Sequence, residues 1–161
     1  MQMYKEATIA GVCVLLLAGC ALFRKKEPEA MLRVFGQATT SLSVDDMRVI
    51  AVPKTGLKIP INPFAAFTEN DVDKAEIKQT PGGATILLHL DASGLIQLDE
   101  LTTRSRGRYI VTFLNDRPVA AWLVDKRITN GQFVVEGDFT DEDARKAVDS
   151  LNQQSKKRQA R

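Results

Sequence analysis

Residues 139–154, FTDEDARKAVDSLNQQ, contain the clearest helix signal in the chain. Thr140 stands at the N-cap position, where a hydroxyl can accept a hydrogen bond from the first helical turn. Three carboxylates follow at 141–143 and complement the positive end of the helix dipole. Apolar residues then recur with the i, i+3, i+4, i+7 spacing of a helix that packs one face on a sheet, at Ala144, Ala147, Val148 and Leu151.

The apolar period of this helix stops after Asn152. Residues 153–161 carry the basic run KKRQAR and no apolar repeat. We therefore expect the folded domain to cover residues 31–152 and the last nine residues to form a basic, disordered tail.

Alternating apolar and polar residues upstream of this helix predict strands at 31–38, 47–52, 57–61, 76–79, 84–90, 108–114, 120–124 and 132–138. A short helix is expected after Thr68, because Asp71 completes a capping-box pattern. Another is expected between Asp91 and Gly107, with Leu95, Leu98 and Leu101 on one face. This order of elements predicts an α+β fold with a mostly antiparallel sheet and two or three helices packed on it.

Composition limits the class of protein. The chain has 161 residues, a net charge of +2, one histidine and two cysteines, Cys13 and Cys20. Both cysteines lie in the first twenty residues, so the body has neither a disulfide framework nor a cysteine metal cluster. The weak net charge argues against nucleic acid as a partner. We expect no metal and no cofactor.

The N-terminal segment ends in a pattern typical of lipid attachment. Residues 7–23 carry no charged side chain, and within them Leu17-Ala18-Gly19-Cys20 resembles the bacterial lipoprotein box. In that chemistry the Cys20 thiol takes up a diacylglyceryl group, and the small residues before it admit the peptidase. Residues 1–19 are then a signal peptide, and residues 20–30 a tether from a palmitate-bearing Cys20 to the domain.

Two other interpretations of this segment stay open: an uncut signal-anchor helix, and an ordinary signal peptide in which Cys20 is incidental. The lipoprotein interpretation places the domain in the bacterial cell envelope, facing the periplasm. Ala21 follows the cysteine, and by the rule for two-membrane envelopes this favours the outer membrane over the inner one.

Candidate chemistry is sparse. His89 is the only histidine and lies in an alternating strand, which indicates a position at the rim of the sheet. The carboxylates around 138–143 are better explained by helix capping than by acid–base catalysis. Phosphate-binding loops and serine-hydrolase motifs are missing from the sequence. We therefore expect no catalytic residues, and an envelope enzyme that uses these carboxylates or His89 is the alternative.

Apolar residues outside any clear period mark a candidate binding surface. The segment IPINPFAAF, residues 59–67, has two prolines and two phenylalanines. It is interpreted as cover for a sheet edge or, alternatively, as a groove for an extended peptide. Trp122 is expected to be a core or half-buried anchor. The candidate partner-binding residues are Ile59, Phe64, Phe67 and Trp122.

Three longer stretches resemble the periplasmic P1 head subdomain of SecD, an accessory subunit of the bacterial protein-export translocon. They are GGATILLHLDASG (82–94), LTTRSRGRYIVTFLNDRPVAAWLV (101–124) and ITNGQFVVEGDFTDEDARKAV (128–148), and the likeness extends more loosely over 32–151. The family has a threonine before the end of a helix, and Thr102 or Thr103 matches it. The family also has a Gly-Arg pair at the start of the next strand, and Gly107-Arg108 matches that pair. The family's G-x-F-T-x-x-E-A corner is matched by Gly137-Asp138-Phe139-Thr140 and Ala144. These motifs are structural, so the resemblance implies the fold more directly than an activity.

The chain departs from that family in two ways. Ala121-Trp122 stands where the family has a proline, and no apolar stretch of spanning length follows Phe23. The resemblance therefore does not extend translocase activity or energy coupling to this chain. It implies binding of extended or exported polypeptide, or of an envelope partner, by a lipid-anchored module. A purely structural outer-membrane lipoprotein is the other alternative.

Overall fold

The computed structural model describes residues 29–39, 48–53 and 55–160. Its strands are β1 (Leu32–Gly36), β2 (Arg48–Ala51), β3 (Lys58–Ile61), β4 (Phe67–Thr68), β5 (Val72–Thr80), β6 (Gly83–Leu90), β7 (Tyr109–Leu114), β8 (Arg117–Leu123) and β9 (Gln132–Val135). The helices are α1 (Ala92–Arg104) and α2 (Asp141–Gln159), and one 3-10 turn covers Glu69–Asp71.

In the part of the chain that the structure describes, all strand pairs are antiparallel and form three sheets. The largest has the order β4-β1-β7-β8, a second has the order β5-β6-β9, and β2 and β3 form a separate two-stranded ribbon. The predicted α+β class with antiparallel sheets and two helices is thus confirmed.

The four-stranded and three-stranded sheets share the main core with both helices. Val34 from β1, Leu88 from β6, Leu98 from α1 and Leu151 from α2 lie in this cluster, each at most 1% exposed. The stripe predicted for α2 is buried as expected. A second cluster lies under the β2–β3 ribbon, where the rings of Phe35 and Phe113 pack edge to face, 5.3 Å apart.

The helix predicted after Thr68 is wrong beyond its first turn. Thr68 and Asp71 do form the capping box, but the turn stops there and β5 begins at Val72. A helix here would bury a narrow apolar face. In a strand, Ala75 and Ile77 pair with Leu88 and Ile86 of β6 and contribute to the core.

The predicted disordered tail is also wrong, because α2 continues to Gln159. Polar contacts hold the extra turns. The Ser155 hydroxyl donates to the carbonyl of Asp73 at 2.6 Å, and the Arg158 guanidinium donates to that of Val72 at 2.6 Å. Ser155 is 4% exposed, so this end of the helix is part of the fold.

Most of the predicted N-terminal features, Cys20 among them, lie outside the described residues. The fold begins slightly earlier than expected. Ala30 is 4% exposed, and its amide donates to the Ser150 hydroxyl of α2 at 2.7 Å. Within the described part of the chain, neither helix is both long and apolar enough to cross a membrane.

Candidate functional site

A groove of about 490 Å³ lies where the two core sheets face each other without pairing. Its walls are β8, the last strand of one sheet, and β9, the last strand of the other. Consecutive residues of β8 and of β9 line the groove. The edges of both strands therefore border it, and not one face of each strand alone. The lining residues are Thr112, Ala120, Ala121, Trp122, Lys126, Ile128, Asn130, Gln132, Phe133, Val134 and Glu136.

The hydrogen bonds at both ends of β8 fix which backbone groups face the groove. The Val124 amide and carbonyl bond to Arg108 and Gly107 on the β7 side, whereas the Val119 carbonyl accepts from Asp138 on the other side. Successive residues of a strand alternate in this direction. Ala121 and Leu123 therefore turn their N–H and C=O groups away from β7, to the side on which Ala121 lines the groove.

The edge of β9 is partly satisfied. The Gly131 carbonyl accepts from Leu90 of β6, so Gln132 and Val134 direct their backbone groups away from β6 and toward the groove. The Gln132 amide donates to the Asn130 side chain at 3.1 Å. Of the two edges, β8 is the more open.

One end of the groove is closed by a contact between the two strands. The Asp138 amide donates to the Val119 carbonyl at 2.7 Å. Gly137 makes this approach feasible, because a Cβ there would lie 2.9 Å from the Val119 carbonyl carbon and closer still to its oxygen. The family-like corner at 137–140 thus joins the two sheets at one point.

The other end is bounded by the loop 124–131, which α1 holds in place. Arg127 forms a two-contact ion pair with Asp99, and this hydrogen-bonded guanidinium lowers the pKa of the carboxyl. The Ile128 amide donates to the Thr102 hydroxyl at 3.0 Å. Thr102 is fully buried, so the loop is fastened to the main core.

Aromatic rings connect the groove to the core. The Trp122 ring lies edge to face on Phe133, 6.4 Å between centroids, and Phe133 packs in the same way on Phe67 at 5.5 Å. Phe133 is 2% exposed, whereas Trp122 is only partly buried. Trp122 is therefore the aromatic surface that the groove offers to a ligand.

Charge at the rim is of both signs. Lys126 and Glu136 line the groove, and within the described residues neither takes part in an ion pair. Thr112 on the floor is 2% exposed. The groove is therefore an apolar slot with one cation and one anion at its margins.

The opposite edge of the three-stranded sheet is closed by side chains. On β5, the Ala75 amide donates to the Asn152 side-chain oxygen at 2.8 Å, and the Asn152 nitrogen donates to the Ala75 carbonyl at 3.0 Å. With Ser155 and Arg158 on the carbonyls of Asp73 and Val72, α2 satisfies this edge at residues 72–75. The edges at the groove have no comparable cover among the described residues.

The four predicted partner-binding residues do not form one surface. Ile59 and Phe67 are 3% and 1% exposed and belong to different core clusters, so their assignment as contact residues is wrong. They face inward because β3 pairs with β2 and β4 pairs with β1. Phe64 is 84% exposed, and Trp122 alone lies in the groove.

The candidate acid–base residues make contacts that stabilise the fold. Thr140 and Asp143 form a reciprocal capping box, and the bonds from Thr140 lower the pKa of Asp143. The His89 Nε2 atom lies 3.6 Å from a Glu76 oxygen on the outer face of the sheet. In residues 29–39, 48–53 and 55–160, no three His, Cys, Asp or Glu side chains are grouped to hold a metal.

The groove was missed by sequence reasoning, since Trp122 was its one residue singled out. Alternation identified β8 and β9 as strands, but pairing between strands is a long-range property. The loop 124–131 between them ends in Asn130-Gly131, a residue pair typical of hairpins, yet β8 and β9 lie in different sheets, so the local pattern pointed away from the groove.

These features define an α+β domain whose two larger sheets enclose the main core and leave a groove at their facing edges. The sequence profile of the family "SecDF, P1 head subdomain" matches residues 45–154. The chain belongs to this family, as the resemblance implied.

Solved structures agree on the fold. The chain is similar to "Structure and function of a membrane component SecDF that enhances protein export", with a TM-score of 0.58, 18% identity, and 94% of this chain and 70% of that chain covered. It is also similar to "Crystal structure of SecDF in Super-membrane-facing form", with a TM-score of 0.57 and 20% identity over 77% of this chain. The chain spans 19% of the length of the latter protein. No curated protein sequence matches it.

Proposed function

We propose that this protein is a lipid-anchored, non-catalytic module of the bacterial envelope that binds extended polypeptide during protein export. The single observation that carries the proposal is the groove between β8 and β9, found in a domain of the SecDF P1 head family. Membership of that family supports a role beside the export machinery. A relative described as a component that enhances protein export supports it further.

The groove has the chemistry that an unfolded chain requires. Trp122 and Phe133 offer apolar surface, while the adjoining strand edges offer backbone hydrogen bonds. A site of this kind tolerates many sequences, because the backbone contributes to binding and only some side chains enter pockets. Polypeptides that cross the envelope before folding expose both apolar side chains and backbone hydrogen-bonding groups.

Lipid attachment at Cys20 is the second part of the proposal. The lipoprotein-box pattern supports it, and Ala21 favours the outer membrane. Ala30 is fixed to α2, and about 3.5 Å per residue over residues 20–30 limits the reach of the tether to about 35 Å. The groove would then work close to a membrane surface.

Photo-crosslinking in living cells tests the binding function. A photoreactive residue at Val134, which lines the groove and is 49% exposed, is expected to capture exported chains during their synthesis and transit. Ile96 on α1 is the matched control, since it is 64% exposed and does not line the groove. Equal capture from both positions would contradict the proposal. Capture of one fixed envelope protein from Val134 would favour a scaffold role instead.

Metabolic labelling with palmitate tests the anchor. Label is expected on the wild-type protein and not on a Cys20→Ser variant, with Cys13→Ser as the control that keeps its label. Label that persists in Cys20→Ser would overturn the anchor and leave the groove unaffected.

A further inference from the structure

We infer that the groove holds its polypeptide as an added β-strand on the edge of β8, with an apolar side chain on Trp122 and oppositely charged residues toward Lys126 and Glu136. This inference rests on the proposed function and specifies how the polypeptide is held.

The argument begins with the direction of the backbone groups. Ala121, which lines the groove, and Leu123 both turn N–H and C=O away from β7, as the bonds of Val124 to the β7 side require. The spacing of two residues is that of a strand, in which every second residue faces the same neighbour. A helix satisfies its own backbone groups and could not bond to both positions.

The choice of β8 over β9 follows from what is already bonded. The Gln132 amide of β9 is occupied by the Asn130 side chain, so that edge offers fewer free donors. At β8, no described side chain forms a hydrogen bond to the backbone of Ala121 or Leu123. An added strand therefore gains more from β8, and β9 serves as the opposite wall.

Side chains of the added strand would alternate between two environments. One set would lie on the side of Trp122 and Phe133, which form the apolar floor. The other set would lie beside Leu123, whose side chain is 49% exposed. Alternating apolar residues therefore fit the groove better than a continuous polar run.

The charges at the rim favour a particular occupant. Lys126 belongs to the loop at one end, and Glu136 adjoins the contact between Val119 and Asp138 at the other. An acidic residue of the ligand is complementary to Lys126, and a basic residue is complementary to Glu136. Exposed charge pairs contribute modestly to affinity, so they set orientation more than strength.

Part of the β5 edge has cover that β8 lacks. Asn152, Ser155 and Arg158 occupy the outward backbone groups of β5 at residues 72–75, and proteins commonly cover edges in this way to prevent unwanted pairing. Among the described residues, Ala121 and Leu123 have no such cover.

An N-methyl scan of a synthetic peptide tests strand addition directly. The probe is a fluorescein-labelled peptide of about ten residues. It alternates Thr and Val around a central Phe, with Glu at one end and Lys at the other. Each backbone amide is methylated in turn, and binding to the folded wild-type protein is measured by fluorescence anisotropy. We expect losses of about tenfold at every second position near the Phe and less than about threefold at the positions between.

A pair of protein variants gives the reciprocal test. Leu123→Pro removes one outward N–H, whereas Leu123→Ala shortens the same side chain and keeps that N–H. Proline is tolerated on a strand edge where its nitrogen faces outward. The proline variant is expected to bind the peptide about tenfold more weakly than the alanine variant. Methylation of the paired peptide amide should weaken binding to both variants, because that amide donates to the carbonyl of residue 123, which both variants keep.

The outcomes separate this inference from the proposed function. Binding without any alternation in the scan would overturn strand addition and leave polypeptide binding intact. No binding of the unmethylated peptide by the wild-type protein would overturn both. If Leu123→Pro does not fold, as judged by circular dichroism, the scan on the wild-type protein decides the matter.

Discussion

The β5 edge of the three-stranded sheet and the β8 edge of the four-stranded sheet differ in how far they are covered. At β5, the Asn152 side chain bonds to both backbone groups of Ala75, while Ser155 and Arg158 bond to the next carbonyls. At β9, the edge faces the groove, and the edge of β8 opposite it is open along Ala121 and Leu123. The difference shows that edge protection in this fold is applied locally and comes from α2.

This comparison changes how the C-terminal part of α2 is understood. Its residues beyond Asn152 contribute mainly hydrogen bonds, since its apolar stripe ends at Leu151. They stabilise the closed edge without adding to the main core. Substitutions at the closed edge are therefore expected to reduce stability, and substitutions at the open edge to reduce binding.

The largest expected effect is at Asn152. Asn152→Ala leaves the Ala75 amide and carbonyl without partners in a partly buried position, and we expect the free energy of unfolding to fall by about 3 kcal/mol. Urea unfolding followed by circular dichroism measures this. Gln153→Ala, one residue along and exposed, is the control and should change stability by less than about 0.5 kcal/mol. Equal effects of the two substitutions would refute the edge-capping role.

A smaller effect is expected at the contact that joins the sheets. Gly137→Ala places a methyl group against the Val119 carbonyl and forces the Asp138–Val119 hydrogen bond apart, at a cost of about 2 kcal/mol. Gly82→Ala is the matched control, because its new methyl group would find its nearest neighbour, the Thr80 hydroxyl, at 3.8 Å. Thermal unfolding of both variants measures the difference. A stable Gly137→Ala protein would mean that the two sheets do not depend on this contact.

Ser155→Ala is expected to cost about 1 kcal/mol, because the Asp73 carbonyl loses its donor in a buried position. Lys156→Ala removes an exposed side chain from the same turn and should be nearly neutral. Hydrogen exchange adds a local readout. Faster exchange of amides in residues 153–159 is expected in Ser155→Ala alone, and unchanged exchange would show that the helix end is held by other contacts.

The smallest expected effect concerns the outer face of β5. Hydrogen bonds from Lys74 and then Lys78 lower the pKa of Glu76 to about 2 from its ordinary 4.5. A carboxyl with a lowered folded-state pKa stabilises the protein above its unfolded pKa, and this contribution is lost as the pH falls from about 4.5 toward 2. The carboxyl is only partly buried, so salt should weaken the effect.

Nuclear magnetic resonance titration of the Glu76 carboxyl measures this shift. The pKa should rise toward its ordinary value in Lys74→Ala and, to a smaller extent, in Lys78→Ala. Lys126→Ala, which alters a charge on the groove side, should leave it unchanged. A midpoint near 4.5 in the wild-type protein would show that the two lysines do not bind the carboxylate in solution.

Local patterns were sufficient to predict the parts of the fold that local chemistry determines. The cap at Thr140 and the stripe from Ala144 to Leu151 specify α2, because both depend on residues within one helix. The turn at Asn115-Asp116 is also local, and both residues have the positive φ that a tight hairpin requires. Prediction was wrong at residues 72–75, where the pairing partner on β6 decides the structure.

The groove depends on contacts that no local pattern contains. Trp122 was identified as an anchor, but its neighbour Phe133 comes from a different sheet. Ile59 and Phe67 could not be distinguished from Phe64 by residue type, since burial was determined by which of them lie in paired strands. The open backbone groups of Ala121 and Leu123 leave no trace in their side chains at all.

The carboxamide of Asn152 carries the same donor and acceptor as a peptide group, so at Ala75 the helix supplies the two hydrogen bonds that a neighbouring strand would supply. A further strand therefore cannot pair with β5 at residues 72–75 while α2 stays in place.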